Sequence, residues 1–277
     1  MEPGFKSRRG HKMSKFLRVL IILLIIIIIF FFLFSQKVLG PSQKEISKNN
    51  KNPFENINLE AKAAIVYDYY LKKPIFELNP EAQLPLASLT KIMTVITTAD
   101  IGKKEVLTDD NIKSKIREAL VKSSNLAAIN LSADVKKFTE DNDFVKKMNE
   151  EAEKLGLKQT YFLNETGLDI SKSTAGAYGS AMDVIKMIDY GFKKYPELFE
   201  MSTTANENTN PYASTTTLIL FSKTGLTNLA GGNLAIVFEA GLFHPIGIVV
   251  LGSSKEGRFE DTFKLMDATF RYFKENE

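Results

Sequence analysis

From Val19 to Phe34 every residue is apolar, and Phe16 and Leu17 extend the run across Arg18. About 19 residues of helix at about 1.5 Å rise cover roughly 28 Å, enough to cross the hydrocarbon core of a bilayer. The sequence therefore predicts a transmembrane helix over 16–34, and everything after Phe34 must fold apart from it. Lys6, Arg8, Arg9, Lys12, Lys15 and Arg18 sit ahead of the run or at its start, whereas only Lys37 and Lys44 follow closely. This bias keeps the basic tail, residues 1–15, in the cytoplasm. It predicts a single-pass protein of the cell membrane with an extracytoplasmic domain. A cleaved signal peptide is the competing reading. The apolar run is longer than a typical h-region, and Phe34-Ser35-Gln36-Lys37 is a poor small-residue cleavage site, which favours an uncleaved anchor.

Composition removes several kinds of chemistry. The chain has no cysteine, which excludes disulfides, thiol catalysis and thiolate metal sites. Its two histidines are His11, in the basic tail, and His244, beside Pro245. His244 reads as a turn residue, and two residues so placed do not readily build a zinc site or a Ser-His-Asp relay. Any serine chemistry must then rely on lysine as its base. The net charge of +3 is modest and owes much to the tail, so no nucleic-acid partner is expected.

Residues 35–60, rich in Lys, Asn, Ser and Gln, read as a flexible tether, and 61–277 as the folded domain. Ala63 to Tyr69 and Pro74 to Leu78 form a hairpin pattern around Leu71-Lys72-Lys73. Leu89, Ile92, Met93 and Ile96 then recur at helical spacing, which puts Ser88 in the first turns of a buried helix. Ile112, Ile116 and Leu120 mark a further helix; Phe144, Met148, Ala152 and Leu155 mark another, ended by Gly156. A third of this set follows Ser180 through Val184, Ile188 and Phe192 to Pro196. Ser202 to Thr217 reads as a polar loop without chemistry of its own. Strand signals return at Leu218 to Thr227, Leu234 to Leu242 and Ile246 to Leu251, before a last helix striped by Phe259, Phe263, Met266, Phe270 and Phe273. Strands at both ends around a helical middle predict an α/β (α+β) domain: one sheet flanked by helices, with a helical subdomain over about 109–200.

Three short strings stand out in order: Ser88-Leu89-Thr90-Lys91, Ser123-Ser124-Asn125 and Lys223-Thr224-Gly225. A chance S-x-x-K is expected about once or twice in a chain this rich in Ser and Lys, and a chance K-T-G in roughly one chain in ten, so the ordered set carries the signal. Positions three apart on a helix lie about 5 to 6 Å apart at Cβ, which lets Lys91 reach the Ser88 hydroxyl. Lysine acts as a base only when desolvation or a second cation lowers its pKa. Leu89, Ile92 and Met93 would supply the first condition and Lys223 the second. Ser123 can relay a proton to a leaving amine, and the Asn125 amide can hold a substrate carbonyl or the Lys91 amine. On a strand, Lys223 can attract a carboxylate, Thr224 can hydrogen-bond it, and Gly225 would admit a ligand close to the backbone.

Beyond these strings the chain resembles the serine-type D-alanyl-D-alanine carboxypeptidases, the low-molecular-mass penicillin-binding proteins, from Ala61 to Phe273. The resemblance includes Phe144-Val145, Met148-Asn149, Leu155-Gly156-Leu157, Asn164, Gly167-Leu168-Asp169, Tyr178-Gly179-Ser180-Ala181, Tyr195-Pro196-Glu197, Lys223 to Thr227 and Arg258-Phe259 with Asp261. It implies a β-lactamase/DD-peptidase-like fold with an antiparallel sheet, and attack by Ser88 on the bond between two terminal D-alanines of a peptidoglycan stem peptide. It further implies an oxyanion held by the backbone N–H groups of Ser88 and Leu226, inhibition by β-lactams, and no metal or organic cofactor. Three departures accompany it: a short interval from Lys91 to Ser123, Leu126 where an acidic residue often stands, and Phe221-Ser222 ahead of K-T-G. The same residues leave open a β-lactamase with Glu165 near the site, a DD-endopeptidase, or a catalytically impaired wall-binding or scaffold protein.

Overall fold

The computed structural model describes residues 52–139, 143–205, 207–215 and 218–276, so the predicted anchor and most of the predicted tether lie outside it. Two strands, β1 (Ala63–Asp68) and β2 (Lys73–Leu78), form the expected hairpin. They join β6 (Ile219–Thr227), β7 (Gly231–Glu239) and β8 (Pro245–Ser253) in an antiparallel sheet of order β2-β1-β8-β7-β6. The period of two sorts side chains cleanly between its faces. Ala63, Ile65, Ala235, Val237, Val249 and Leu251 join the core under the helical middle of the chain. Ala64, Val66, Leu234, Ile236, Ile248 and Val250 face the other way, onto Leu265 and Ala268 of the last helix, which spans Gly257–Asn276. Burial on both faces explains why these strands read as nearly continuous apolar runs.

The folded unit starts earlier than the sequence suggested. Phe54, assigned above to the tether, is buried, with its ring 5.4 Å from Phe76 and 5.9 Å from Tyr272. The Asp261 carboxylate then accepts from the N–H groups of Glu60 and Ala61 at 3.1 and 2.9 Å. One aromatic in a polar stretch was too sparse to register as core.

Between the hairpin and β6 the chain is helical. A 3-10 turn, Ala87–Leu89, leads into α1 (Thr90–Thr108), whose backbone breaks at Lys103 in a left-handed conformation with φ 46°. Next come α2 (Asp110–Val121), α3 (Asn125–Val135) and α4 (Phe144–Lys154), capped by the side chains of Asp109, Ser124 and Asp143. Then α5 (Ala181–Lys194) is capped by Ser180 and followed by the short α6 (Pro196–Glu200). The Asp183 carboxylate turns away from that cap to accept from the Gln159 N–H and the Thr160 hydroxyl, tying α5 to the segment before it. A small sheet of order β3-β5-β4 (Leu84–Pro85, Ala177–Gly179, Tyr161–Phe162) is set into this region. The last helix is α7.

One helix was not anticipated. No periodicity in residues 125–135 predicts a helix, yet they form α3. Its buried side is made of Ala127, Ala128, Leu131 and Val135, while Leu126 and Ile129 are exposed, so apolar residues occur all round and leave no stripe to detect.

Candidate active site

Ser88 owes its position to strain on one side and close packing on the other. Ala87, just before it, has φ 47°, a region that non-glycine residues rarely occupy. The turned Ala87 carbonyl accepts from the Thr90 hydroxyl at 2.7 Å. Gly167 lies so close against that carbonyl that a Cβ there would come within 1.8 Å of the oxygen, and its own φ is 78°. Only glycine fits.

One turn on, Lys91 is fully buried, and its Nζ lies 2.9 Å from Ser88 Oγ. Two other acceptors complete the shell: Asn125 Oδ1 and the Thr166 carbonyl, both at 2.8 Å. That carbonyl is aimed by a local knot in which Asn164 Oδ1 accepts from the Thr166 N–H, the Thr166 hydroxyl and the Gly167 N–H. Burial pushes the Lys91 pKa down to about 7. A neutral amine has two N–H donors and one lone pair. With Asn125 and Thr166 taking the two donors, the lone pair is left for the Ser88 proton.

The second cluster is built on β6. Lys223 Nζ donates to Ser123 Oγ at 2.8 Å and to the Thr224 carbonyl at 2.9 Å. Ser123 is the residue just past the C-terminus of α2, at φ 57°, where helices usually place glycine. The Ser124 N–H closes back on the Glu118 carbonyl at 3.1 Å, and the Ser124 hydroxyl caps α3, so a helix end and a helix start pin the S-x-N string. Asn125 is thus the first residue of a helix. The Lys223 pKa is driven well below its ordinary value by burial, then by the charges of Lys91 and Arg258. Arg258 Nη1 donates to the Gly225 carbonyl at 2.8 Å. Lys91, Lys223 and Arg258 thereby lie within electrostatic reach of one region, which suits an anionic ligand.

Gly225 also has a packing role that its motif did not suggest. A Cβ there would sit 3.0 Å from the Leu86 carbonyl and 3.2 Å from the Ala87 Cβ. Its missing side chain lets β6 press against the turn that carries Ser88, and so brings Leu226, the next residue, to the same place.

The stretch from Ser202 to Thr217, read above as lacking chemistry, braces K-T-G. Thr224 donates its hydroxyl proton to Thr209 Oγ1 at 2.6 Å, and the Thr209 N–H donates to the Val121 carbonyl at 3.0 Å. Asn210 Nδ2 donates to Ser222 Oγ at 2.8 Å, the Ser222 N–H donates to Ser202 Oγ at 3.1 Å, and Glu207 pairs with Lys122. A polar loop carries no periodicity, so nothing in its sequence marked these contacts.

Glu165 accepts a 3.4 Å hydrogen bond from Ser132, two turns along α3 from Asn125, while its backbone carbonyl accepts from Thr94. It shares no direct hydrogen bond with Ser88 or Lys91. His244 lies in a turn, as expected, and its Nε2 is 2.8 Å from the buried Asp68 carboxylate. Among the described residues no cluster of three or more His, Asp or Glu could hold a metal ion.

The chain resembles known proteins in sequence and in fold. The chain is 26% identical over 249 residues to a D-alanyl-D-alanine carboxypeptidase, DacF, of Bacillus subtilis, covering 77% of this chain and 63% of that one. It is 28% identical over 245 residues to a D-alanyl-D-alanine endopeptidase of Pseudomonas aeruginosa, covering 75% and 76%. Penicillin-binding protein D2 of Listeria monocytogenes in its cefotaxime-bound form superposes with a TM-score of 0.67 at 26% identity, over 78% of this chain and 99% of that one. Residues 107–254, just over half of the chain, match Peptidase S11, the D-alanyl-D-alanine carboxypeptidases. That match starts beyond Ser88 and Lys91, whose assignment stands on the Lys91–Asn125 hydrogen bond and on the packing of Gly225 against the turn that carries Ser88. The chain belongs to the Peptidase S11 family.

Proposed function

We propose that this chain is a membrane-anchored serine D-alanyl-D-alanine carboxypeptidase, held by the apolar segment 16–34, that removes the terminal D-alanine from peptidoglycan stem peptides. The observation that carries the reading is the Lys91 amine, buried, partly neutral near pH 7 and 2.9 Å from Ser88 Oγ. The substrate's terminal carboxylate is drawn to Lys223 and Thr224, and its charge helps Lys223 keep its proton. Ser88 gives its proton to Lys91 while Oγ attacks the carbonyl carbon of the penultimate residue. The N–H groups of Ser88 and Leu226 take up the oxyanion. As the C–N bond breaks, the departing D-alanine amine takes a proton through Ser123. Water then attacks the acyl ester, one of its protons returning through Lys91, and Ser88 is regenerated. A β-lactam would acylate the same oxygen.

The test pairs D-alanine release from a pentapeptide with mass spectrometry after penicillin exposure. The adduct is expected on the peptide containing Ser88, with both signals lost in Ser88→Ala. Equal release by the two proteins would overturn the assignment, and rapid multiple turnover of penicillin would favour a β-lactamase.

A second reading, cleavage of internal cross-links, is favoured by one feature. Helices α1 and α2 are joined through the single residue Asp109, so no extended segment rises there beside the cleft. The endopeptidase relative from Pseudomonas points the same way. Faster turnover of a cross-linked dimer than of a pentapeptide would establish it.

A further inference from the structure

The main sheet ends on one side in two hairpin tips, residues 69–72 between β1 and β2 and residues 240–244 between β7 and β8. Pairing of β1 with β8 makes them neighbours: Asp68 lies opposite Ile246, and the Tyr69 N–H donates to the Pro245 carbonyl at 3.2 Å. The His244–Asp68 hydrogen bond and a 5.4 Å contact between the Tyr70 and His244 rings fasten one tip to the other. What they present to solvent is apolar. Leu242 is 88% exposed, Phe243 80%, Tyr70 69% and Leu71 47%. Phe243 is held there at φ 54°, a conformation bulky residues seldom adopt. Lys72 and Lys73, both exposed, flank the patch. Solitary exposed apolar residues are ordinary, but four on two braced tips next to lysines are not.

The chain enters the domain close to this patch. Phe54 lies 5.9 Å from Tyr272, Tyr272 5.4 Å from Phe273, and Phe273 4.5 Å from His244, a run of rings from the start of the described chain to the tip. Between the apolar segment 16–34 and residue 52 lie residues 35–51, a length of chain that can reach at most about 60 Å. We propose that the Leu242–Phe243 and Tyr70–Leu71 tips dock into the interfacial layer of a lipid bilayer, with Lys72 and Lys73 on its phosphate groups. This rests on the proposed anchor for delivery of the domain to the membrane, but not for the contact itself. Docking would fix the height of the cleft, since Lys223 follows Leu218, at the same end of the sheet, by five residues or about 17 Å of strand.

The chain has no tryptophan, so single reporters are clean. Phe243→Trp, with Tyr70→Trp as a second reporter and Tyr161→Trp on the small sheet as control, would each be placed in the full chain. Each is mixed with phosphatidylglycerol–phosphatidylethanolamine vesicles containing brominated acyl chains. The expected result is a blue shift and at least about a twofold loss of emission at positions 243 and 70, with position 161 unchanged. Unquenched emission at both tips overturns the proposal. So does equal quenching at 161, which means general adsorption, or a lipid-independent blue shift that grows with protein concentration, which means a second copy covers the tips. Alkaline carbonate extraction reads the anchor separately. Extraction of a chain whose tips are quenched removes the anchor and keeps the docking; retention of a chain whose tips stay unquenched does the reverse.

Discussion

Lys91 and Lys223 are both buried and both lowered in pKa, yet their surroundings fit them for opposite tasks. On α1, Lys91 meets two pure acceptors and one hydroxyl able to donate, and burial is what lowers its proton affinity. On β6, Lys223 meets Ser123 Oγ and the Thr224 carbonyl, and the charges of Lys91 and Arg258 press on it in addition to burial. Under the proposed function, an incoming carboxylate would relieve the second amine. Burial alone makes neither a base nor an anion receptor: the arrangement of donors and acceptors around each nitrogen decides.

Removing the base gives the largest expected effect. Lys91→Ala should slow acylation of Ser88 by about 10² to 10⁴-fold, measured by stopped-flow with a chromogenic β-lactam. In the intact chain the acylation rate should fall about tenfold per pH unit below about 7, as Lys91 takes up the proton that blocks it, and level off above. A profile without that limb, or one that survives in Lys91→Ala, would break the distinction between the two amines. Lys223→Ala should cost less, about 10 to 100-fold and mainly in KM for a peptide with a free C-terminus, as expected for loss of a charged hydrogen bond of about 1.5–3 kcal/mol. A peptide amidated at its C-terminus should be far less sensitive to that change.

Gly225→Ala strikes the frame the two clusters share. Its Cβ would press on the Leu86 carbonyl and Ala87, so stability should drop by about 1–3 kcal/mol in chemical denaturation. Acylation should fall with it. The smallest effect is expected for Thr209→Val, which removes the acceptor for the Thr224 hydroxyl and touches only the Lys223 side. KM should rise about three- to tenfold, a hydrogen bond being worth about 0.5–1.5 kcal/mol, with the Lys91 pH limb unmoved. A shift in that limb would mean that the clusters are coupled through β6.

How far the sequence reached can be judged from single residues. Ser88 and Lys91 were legible because both lie on one local helical segment, where a spacing of three fixes their geometry. Lys223 and Phe221 were legible as a strand by alternation and β-propensity. The third partner of Lys91 is a backbone carbonyl, which every residue has, so Thr166 carried no mark. Thr209 and Asn210 were hidden in a polar stretch, and α3 was hidden by apolar residues on all its sides. Gly225 was found as a place of close approach, but its packing against the Leu86 carbonyl and the Ala87 Cβ, on a distant turn, carried no mark in the sequence.

The sequence by itself determined the candidate reactive side chains, the order of most strands and helices, and the absence of thiol chemistry, because these depend on residue identity and on periods of two and about 3.6. Only the tertiary structure decided that Lys91 loses its solvent, that Ser123 answers to Lys223 and Asn125 to Lys91, and that a polar loop steadies Thr224. Those outcomes depend on which distant groups share a desolvated volume, and no local pattern encodes that.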